Sequence, residues 1–137
     1  MELLNFLIDK WYLSLPFLVF LNLFIFSFAR RGGKRITSVE LVSLANSGQA
    51  QLIDLRKSDL YDQGRITGSK NIPYDQLNNR LNELNNDEHK PIILICDLGN
   101  QSPSAGELLQ KEGFANTLIL SGGINQWTMD NLPLVND

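Results

Sequence analysis

One cysteine is the residue of this sequence with the clearest capacity for covalent chemistry. Cys96 ends the apolar run of residues 91–96, which is typical of a buried parallel strand, and it precedes Ser102-Pro103, a pair typical of a helix start. Between a strand and a helix, loop N–H groups and the positive end of the helix dipole favour an anion, and hence a reactive thiolate. A buried cysteine that only fills space has the same pattern, so the residues alone leave both interpretations open.

The counts of cysteine and histidine restrict the other chemistry that the chain can carry. With one cysteine and one histidine in 137 residues, an internal disulfide and a multi-cysteine metal site are both excluded. His89 lies in a polar run typical of a solvated loop, so no metal site is predicted. The net charge of -3 provides no basic face, which excludes nucleic acid as a partner.

The N-terminal region differs in composition from the rest of the sequence. Residues 11–29 carry no charge, and a helix of about 20 apolar residues spans the hydrocarbon core of a bilayer. We therefore predict that residues 1–29 are a transmembrane anchor, with the span at about residues 11–29. A buried soluble helix is disfavoured because the segment is apolar on every face.

The charges around this segment predict its orientation. Only Lys10 is basic before it, whereas four cations follow it: Arg30, Arg31, Lys34 and Arg35. A secretory signal peptide has its positive charge before the apolar stretch. The pattern instead favours a single-pass anchor with the N-terminus outside and the following domain in the cytoplasm, at the inner membrane if the cell is bacterial. Residues 30–35 are interpreted as a flexible basic linker whose cations either contact anionic headgroups or serve only as the orientation signal.

The remaining residues, 36–137, alternate between helix and strand patterns. Thr37 and Glu40 form a capping box that opens a helix ended by Gly48. Ser102 is predicted to be the N-cap residue of the helix after Cys96. Strand patterns occupy residues 52–55, 71–73, 91–96 and 117–120, and further helix patterns occupy residues 58–63, 74–84, 102–112 and the segment around Trp127. This alternation predicts an α/β domain with a mainly parallel sheet.

The loop after the apolar strand resembles the active-site loop of rhodanese-homology domains, which follows the pattern Cys-x-x-Gly-x-x-Ser/Thr and opens a helix. The corresponding residues are Cys96, Asp97, Leu98, Gly99, Asn100, Gln101 and Ser102.

Three further motifs carry the same resemblance in the same order along the chain. Asp54-Leu55-Arg56 is similar to the family's Asp-x-Arg, and residues 64–73 are similar to its Gly-His-Ile-x-Gly-Ala-x-Asn-Ile-Pro segment. Residues 122–127 are similar to its closing Gly-Gly-x-x-x-Trp. The resemblance covers residues 36–135 and implies a rhodanese-like parallel sheet flanked by helices, here preceded by one transmembrane helix.

What the resemblance implies is sulfurtransferase chemistry. Cys96 attacks a sulfane sulfur donor, holds the sulfur as a persulfide among the amides of residues 97–102, and releases it to a thiol or cyanide acceptor. Asp54 and Arg56 are implied to be structural residues that tie loops together, and neither a metal nor an organic cofactor is implied. Because the chain has no second cysteine, the acceptor must be external.

The loop departs from the family pattern at two charged positions. Active rhodaneses typically have Arg directly after the cysteine and again four residues later, where this chain has Asp97 and Gln101. The carboxylate of Asp97 repels dianionic thiosulfate and disfavours a neighbouring thiolate, each by an amount on the order of 1 kcal/mol. Weak thiosulfate activity is therefore expected.

Three functions are compatible with these observations to different degrees. The first is a membrane-anchored sulfurtransferase or persulfide carrier that uses a neutral or protein-bound sulfane sulfur donor and a thiol acceptor. The second is a non-catalytic module that binds a membrane protein at the cytoplasmic face of the bilayer. The third, a phosphatase of related fold, needs an Arg at the position of Ser102 and is disfavoured because no cation is available to hold phosphoryl oxygens.

Overall fold

The computed structural model describes residues 1–29, 31–87 and 89–136. The chain divides into two compact units, Met1–Arg30 and Arg31–Asp137. The first unit consists of helices α1 (Glu2–Asp9) and α2 (Trp11–Ala29). Helix α2 is long and apolar enough to cross a membrane, and none of the window Trp11–Phe28 is buried within the structure. Both a membrane span and an N-terminal signal sequence have these properties.

The second unit is built on a parallel sheet. Its described strands are β1 (Lys34–Ile36), β2 (Gln51–Asp54), β3 (Ser69–Asn71), β4 (Ile92–Ile95) and β5 (Thr117–Leu120). They are ordered β1-β5-β4-β2-β3, and each pairs in parallel with its neighbours. The central strand β4 is buried along its whole length, because helices cover both faces of such a sheet. The predicted α/β fold with a parallel sheet is confirmed.

Helices connect or follow the strands and cover the two faces of the sheet. They are α3 (Ser38–Asn46), α4 (Ser58–Gln63), α5 (Ser102–Lys111) and α6 (Gly123–Met129). On one face, α5 contributes Ala105 and Leu109 to an apolar cluster that also contains Cys96. On the other face, α3 and α6 contribute Leu41 and Trp127 to a second cluster. The sulfur atom of Cys96 thus belongs to the core layer under α5.

Local sequence signals fix several boundaries. The Thr37 hydroxyl oxygen accepts the Glu40 N–H at 3.2 Å, which is the predicted N-terminal cap of α3. Helix α4 and strand β5 have the predicted limits, whereas β2 begins one residue earlier than predicted.

The segment predicted as one α-helix at residues 74–84 is instead two short 3-10 helices, Tyr74–Asn79 and Leu81–Glu83. Arg80 interrupts them with a non-helical φ of -122°, directly after two asparagines, which have low helix propensity. Leu77 and Leu84 are nevertheless buried in the cluster under α5, so the leucine spacing is satisfied by shorter turns.

The predicted flexible linker is also corrected, from Arg31 onward; Arg30 lies outside the described residues. Lys34–Ile36 form the edge strand β1 because β5 offers an unpaired backbone edge, with Lys34 opposite Leu118. Before the strand, the Thr117 hydroxyl donates a hydrogen bond to the Gly32 carbonyl oxygen at 3.1 Å. Arg31 forms an ion pair with Glu107 of α5. These contacts make the segment part of the folded second unit.

Candidate active site

Strand β4 delivers Cys96 to the carboxyl edge of the sheet. The sheet pairing continues one residue past β2, where the Leu55 N–H donates to the Ile95 carbonyl oxygen at 2.7 Å. Cys96 follows directly and has 0% of its surface exposed. Ligands of open parallel α/β sheets bind at this edge, so the thiol occupies the expected place for a reactive group.

The loop after Cys96 folds back onto the sulfur atom. The Gly99 N–H donates a hydrogen bond to the Cys96 Sγ with a nitrogen–sulfur distance of 2.9 Å. Gly99 has a φ of +83°, and a Cβ atom there would lie 3.1 Å from the Gly122 nitrogen. The positive φ therefore favours glycine, and a side chain would also make a tight contact with the Gly122 backbone. An N–H that points at sulfur stabilises the thiolate and any charged sulfur bound to it.

The opposite side of the loop is held by the start of α6. The Ile124 N–H donates to the Cys96 carbonyl oxygen at 2.8 Å, and the Asn125 N–H donates to the Asp97 carbonyl oxygen at 3.0 Å. A Cβ at Gly123 would lie 2.1 Å from the Cys96 carbonyl oxygen, which only glycine avoids. The sequence marks these glycines as turn residues, but only the structure shows that they support the cysteine loop.

The predicted N-cap at the start of α5 is corrected by one residue. Gln101 is the N-cap residue, because its carbonyl oxygen accepts the first hydrogen bond of the helix, from the Ala105 N–H at 3.1 Å, and its side chain makes no capping hydrogen bond. Ser102 is the first helical residue. It is 0% exposed, and its hydroxyl has no hydrogen-bond partner among the described residues. A buried hydroxyl without a partner costs about 1–3 kcal/mol, so this group is an available donor beside the loop.

The exposed side chains of the loop are polar, apolar or acidic, and none is basic. Asp97, Asn100 and Gln101 are exposed, and Leu98 exposes 59% of its surface. The only charge between Cys96 and Ser102 is therefore the carboxylate of Asp97. Such a surface offers no complementary charge to a small dianion.

Asp54 and Arg56 form a buried ion pair at the end of β2. Two guanidinium nitrogens of Arg56 contact the Asp54 carboxylate at 2.8–3.1 Å, and its Nη2 also donates to the Gly64 carbonyl oxygen at 2.6 Å. The side-chain amide of Asn71 donates to the carbonyl oxygens of both Asp54 and Arg56. The pair links three chain segments. The contribution of Asn71 is one that sequence reasoning missed, although it lies inside a recognised motif.

No metal-binding group is found in the described part of the chain. Among these residues, no three His, Cys, Asp or Glu side chains lie close enough together to hold an ion.

Comparison with known proteins gives consistent similarities. The model of the rhodanese-like domain family matches residues 37–130. The Escherichia coli protein YibN is 37% identical over 103 residues, covering 74% of this chain and 72% of YibN.

Two further proteins extend the similarity to a named activity and to a solved structure. The thiosulfate sulfurtransferase GlpE of Shewanella oneidensis is 26% identical over 94 residues, covering 69% of this chain and 91% of GlpE. The crystal structure of a rhodanese-related protein from Thermoplasma volcanium superimposes with a TM-score of 0.68 at 30% identity, covering 76% of this chain and 99% of that protein.

Proposed function

The chain belongs to the rhodanese-like domain family, and from that premise we propose that it is a membrane-anchored sulfurtransferase or persulfide carrier whose sulfur-accepting nucleophile is Cys96. The observation that carries the proposal is the hydrogen bond from the Gly99 N–H to the Cys96 Sγ. A cysteine that only filled space in the core would not need a loop amide directed at its sulfur atom. A sulfur atom that carries negative charge, in contrast, is stabilised by such an amide.

The first step is sulfur uptake. The Cys96 thiolate attacks the outer sulfur of a donor persulfide R–S–SH, a new S–S bond forms, and the donor S–S bond breaks. The donor leaves as the thiolate R–S⁻ with the electron pair of the broken bond, and the proton stays on the transferred sulfur until solvent removes it. The enzyme then carries Cys96–S–S⁻.

The second step returns the cysteine to its starting state. The thiolate of an external acceptor attacks the outer sulfur of the Cys96 persulfide and takes it, and Cys96 leaves as a thiolate. The acceptor must be external because the chain has no other cysteine to resolve the persulfide. No electrons are gained or lost overall, so the chemistry requires no redox cofactor.

Asp97 and Gln101 determine which donors are suitable. Thiosulfate would release sulfite after the same attack, but it approaches the loop as a dianion. Asp97 is exposed and negatively charged, and Gln101 offers no cation. We therefore expect slow loading from thiosulfate and faster loading from a neutral or protein-bound donor.

The anchoring part of the proposal depends on α2 and on the charges that follow it. Helix α2 has the length and the uncharged composition of a span, and the cations after residue 29 favour retention of the following domain in the cytoplasm. An anchor raises the local concentration of the domain near donors and acceptors of the membrane surface.

A non-catalytic interaction module is the second candidate function. It is favoured by the full burial of Cys96 and by a loop that has no cation but exposes Leu98. In this alternative the loop binds a membrane protein and the cysteine contributes only packing.

The deciding experiment measures sulfur loading on the full chain in detergent micelles. The protein is incubated with cysteamine persulfide, a small donor without a carboxylate and without net negative charge, and intact-mass spectrometry detects the addition of one sulfur atom. We expect loading of the wild type, no loading of Cys96→Ser, and return to the starting mass after an acceptor thiol is added. If no donor loads the wild type, sulfur transfer is wrong and the interaction module becomes the better assignment.

A further inference from the structure

The cysteine loop carries an acidic and apolar surface that sulfur transfer itself does not require. The Asp97 backbone is held by α6, but its carboxylate makes neither an ion pair nor a hydrogen bond within the described residues. The charge is therefore exposed on the residue that follows the nucleophile in the chain. Leaving an unpaired carboxylate next to a site for anionic sulfur is unfavourable unless a partner supplies the opposite charge.

Leu98 adds an exposed apolar side chain to the same loop. It is 59% exposed, and it belongs to neither of the two apolar clusters. A single exposed leucine is ordinary on a protein surface. The position of this leucine is unusual, because Leu98 directly precedes Gly99, whose N–H donates a hydrogen bond to the Cys96 sulfur. A donor large enough to cover the loop would bury this side chain during sulfur transfer.

We propose, building on the function above, that Asp97 and Leu98 select a protein-borne persulfide whose sulfur is flanked by a cationic and an apolar side chain. Asp97 pairs with the cation and repels small anionic donors, and Leu98 packs against the apolar neighbour. Electrostatic complementarity of this kind acts mainly on the rate of association and on the choice of partner. The partner class follows from the loop alone: its one charge is negative, and its one large exposed apolar residue is Leu98.

The selectivity can be measured with synthetic donors. Three peptide persulfides of equal length differ only beside the persulfidated cysteine, which is flanked by Lys and Leu, by Glu and Leu, or by Lys and Asn. Loading of the full chain in detergent micelles is followed by intact mass, as second-order rates. An exposed charge pair changes binding by about two- to five-fold. We expect the Lys-Leu donor to load faster than the Glu-Leu donor by this factor, and the difference to shrink as salt is added.

Variants of the two residues assign the effect. Asp97→Asn should remove the preference for Lys over Glu, and Asp97→Arg should reverse it. Leu98→Asn should slow the Lys-Leu donor about three-fold more than it slows the Lys-Asn donor, because only the former loses an apolar contact. Asp62→Asn is the matched control, since it makes the same charge change at an exposed residue of α4, an element outside the loop. It should leave all three rates as in the wild type.

The outcomes separate this inference from the proposed function. Equal rates for the Lys-Leu and Glu-Leu donors in the wild type would overturn the role of Asp97 while leaving Cys96 as a sulfur acceptor. An equal effect of Leu98→Asn on both lysine-containing donors would overturn the role of Leu98. Absence of loading from every donor would remove the proposed function and this inference together.

Discussion

The N–H of Ile124 donates a 2.8 Å hydrogen bond to the carbonyl oxygen of Cys96. The bond ties the first turn of α6 to the cysteine loop, and Gly123 is the residue that allows this approach. A Cβ at position 123 would lie 2.1 Å from the same carbonyl oxygen, and the φ of +59° is unfavourable for other residues.

Gly123→Ala must therefore displace the loop. We expect it to lower the free energy of unfolding by about 1–3 kcal/mol and to slow loading of Cys96 more than ten-fold.

Gly68→Ala provides the control for this prediction. Gly68 has a φ of +83°, but a Cβ there would meet no atom within 4 Å. The variant should show backbone strain of about 1 kcal/mol with an unchanged loading rate at a temperature where both proteins are folded. Thermal unfolding and intact-mass loading distinguish the two effects. Equal loading rates for Gly123→Ala and Gly68→Ala would show that the link to α6 does not position the sulfur.

Local sequence signals predicted the elements that carry the site. The apolar run that becomes β4 is recognisable because a central parallel strand is buried on both faces. The capping box at Thr37 is recognisable because donor and acceptor are three residues apart. The resemblance then points to the loop from Cys96 to Ser102 as the place for chemistry, and this assignment stays a prediction.

The features that were missed depend on contacts between distant residues. Lys34–Ile36 become a strand only because β5 lies beside them, and nothing in a Gly-Gly segment flanked by cations signals that pairing. The contact of Gly123 with the Cys96 carbonyl oxygen joins residues far apart in sequence. The leucine spacing at residues 74–84 predicted burial correctly for Leu77 and Leu84, but the same spacing fits a helix and two 3-10 turns.

Ser102 is expected to stabilise the loaded enzyme more than the unloaded one. Its hydroxyl is buried and has no partner among the described residues, so an added sulfur with negative charge would give it an acceptor. Ser102→Ala should leave folding nearly unaffected and shorten the lifetime of the Cys96 persulfide by about three- to ten-fold, equivalent to a hydrogen bond of about 0.5–1.5 kcal/mol. The lifetime is measured as loss of the added mass in the presence of a fixed concentration of acceptor thiol.

Ser38→Ala is the matched control for that variant. Ser38 is also the first residue of a helix, is 3% exposed, and has a hydroxyl without a partner in the described part of the chain, but it belongs to α3. The persulfide of this variant should decay at the wild-type rate. If both serine variants change the lifetime equally, the Ser102 hydroxyl has no specific role in holding sulfur.

The buried ion pair of Asp54 and Arg56 should be a major determinant of stability. Arg56→Met leaves the Asp54 carboxylate, which is 0% exposed, without its cation and removes the hydrogen bond to the Gly64 carbonyl oxygen. We expect a loss of about 3–5 kcal/mol in the free energy of unfolding, measured by urea denaturation. Arg31→Met, which breaks the exposed pair with Glu107, should change stability little. Similar losses for the two variants would contradict a structural role of the buried pair.

Glu83 gives the stability a dependence on acid pH. Its hydrogen bonds with Arg80 and Lys70 lower the pKa of the Glu83 carboxyl from 4.5 to about 2. A carboxyl whose pKa is lowered by folding stabilises the protein above its unfolded pKa, and the contribution is lost as the pH falls through the folded value. The difference in unfolding midpoint between the wild type and Glu83→Gln should therefore shrink between about pH 4.5 and about pH 2. When both proteins also carry Lys70→Gln, the difference in unfolding midpoint caused by Glu83→Gln should be smaller but still present, because the pair of Glu83 with Arg80 remains. A difference that does not vary with pH would rule out this assignment.

Membrane orientation can be tested by labelling single cysteines in a Cys96→Ser background. Asn5→Cys and Val39→Cys place a thiol before and after α2, and both positions are exposed, Val39 by 77%. Because only Lys10 is basic before the apolar segment and four cations follow it, the positive-inside rule predicts an outer N-terminus.

A membrane-impermeant maleimide should label Asn5→Cys in intact cells and Val39→Cys only after lysis. Labelling of Val39→Cys in intact cells would show that the domain is exported, and recovery of both variants in the soluble fraction would show that α2 does not anchor the chain.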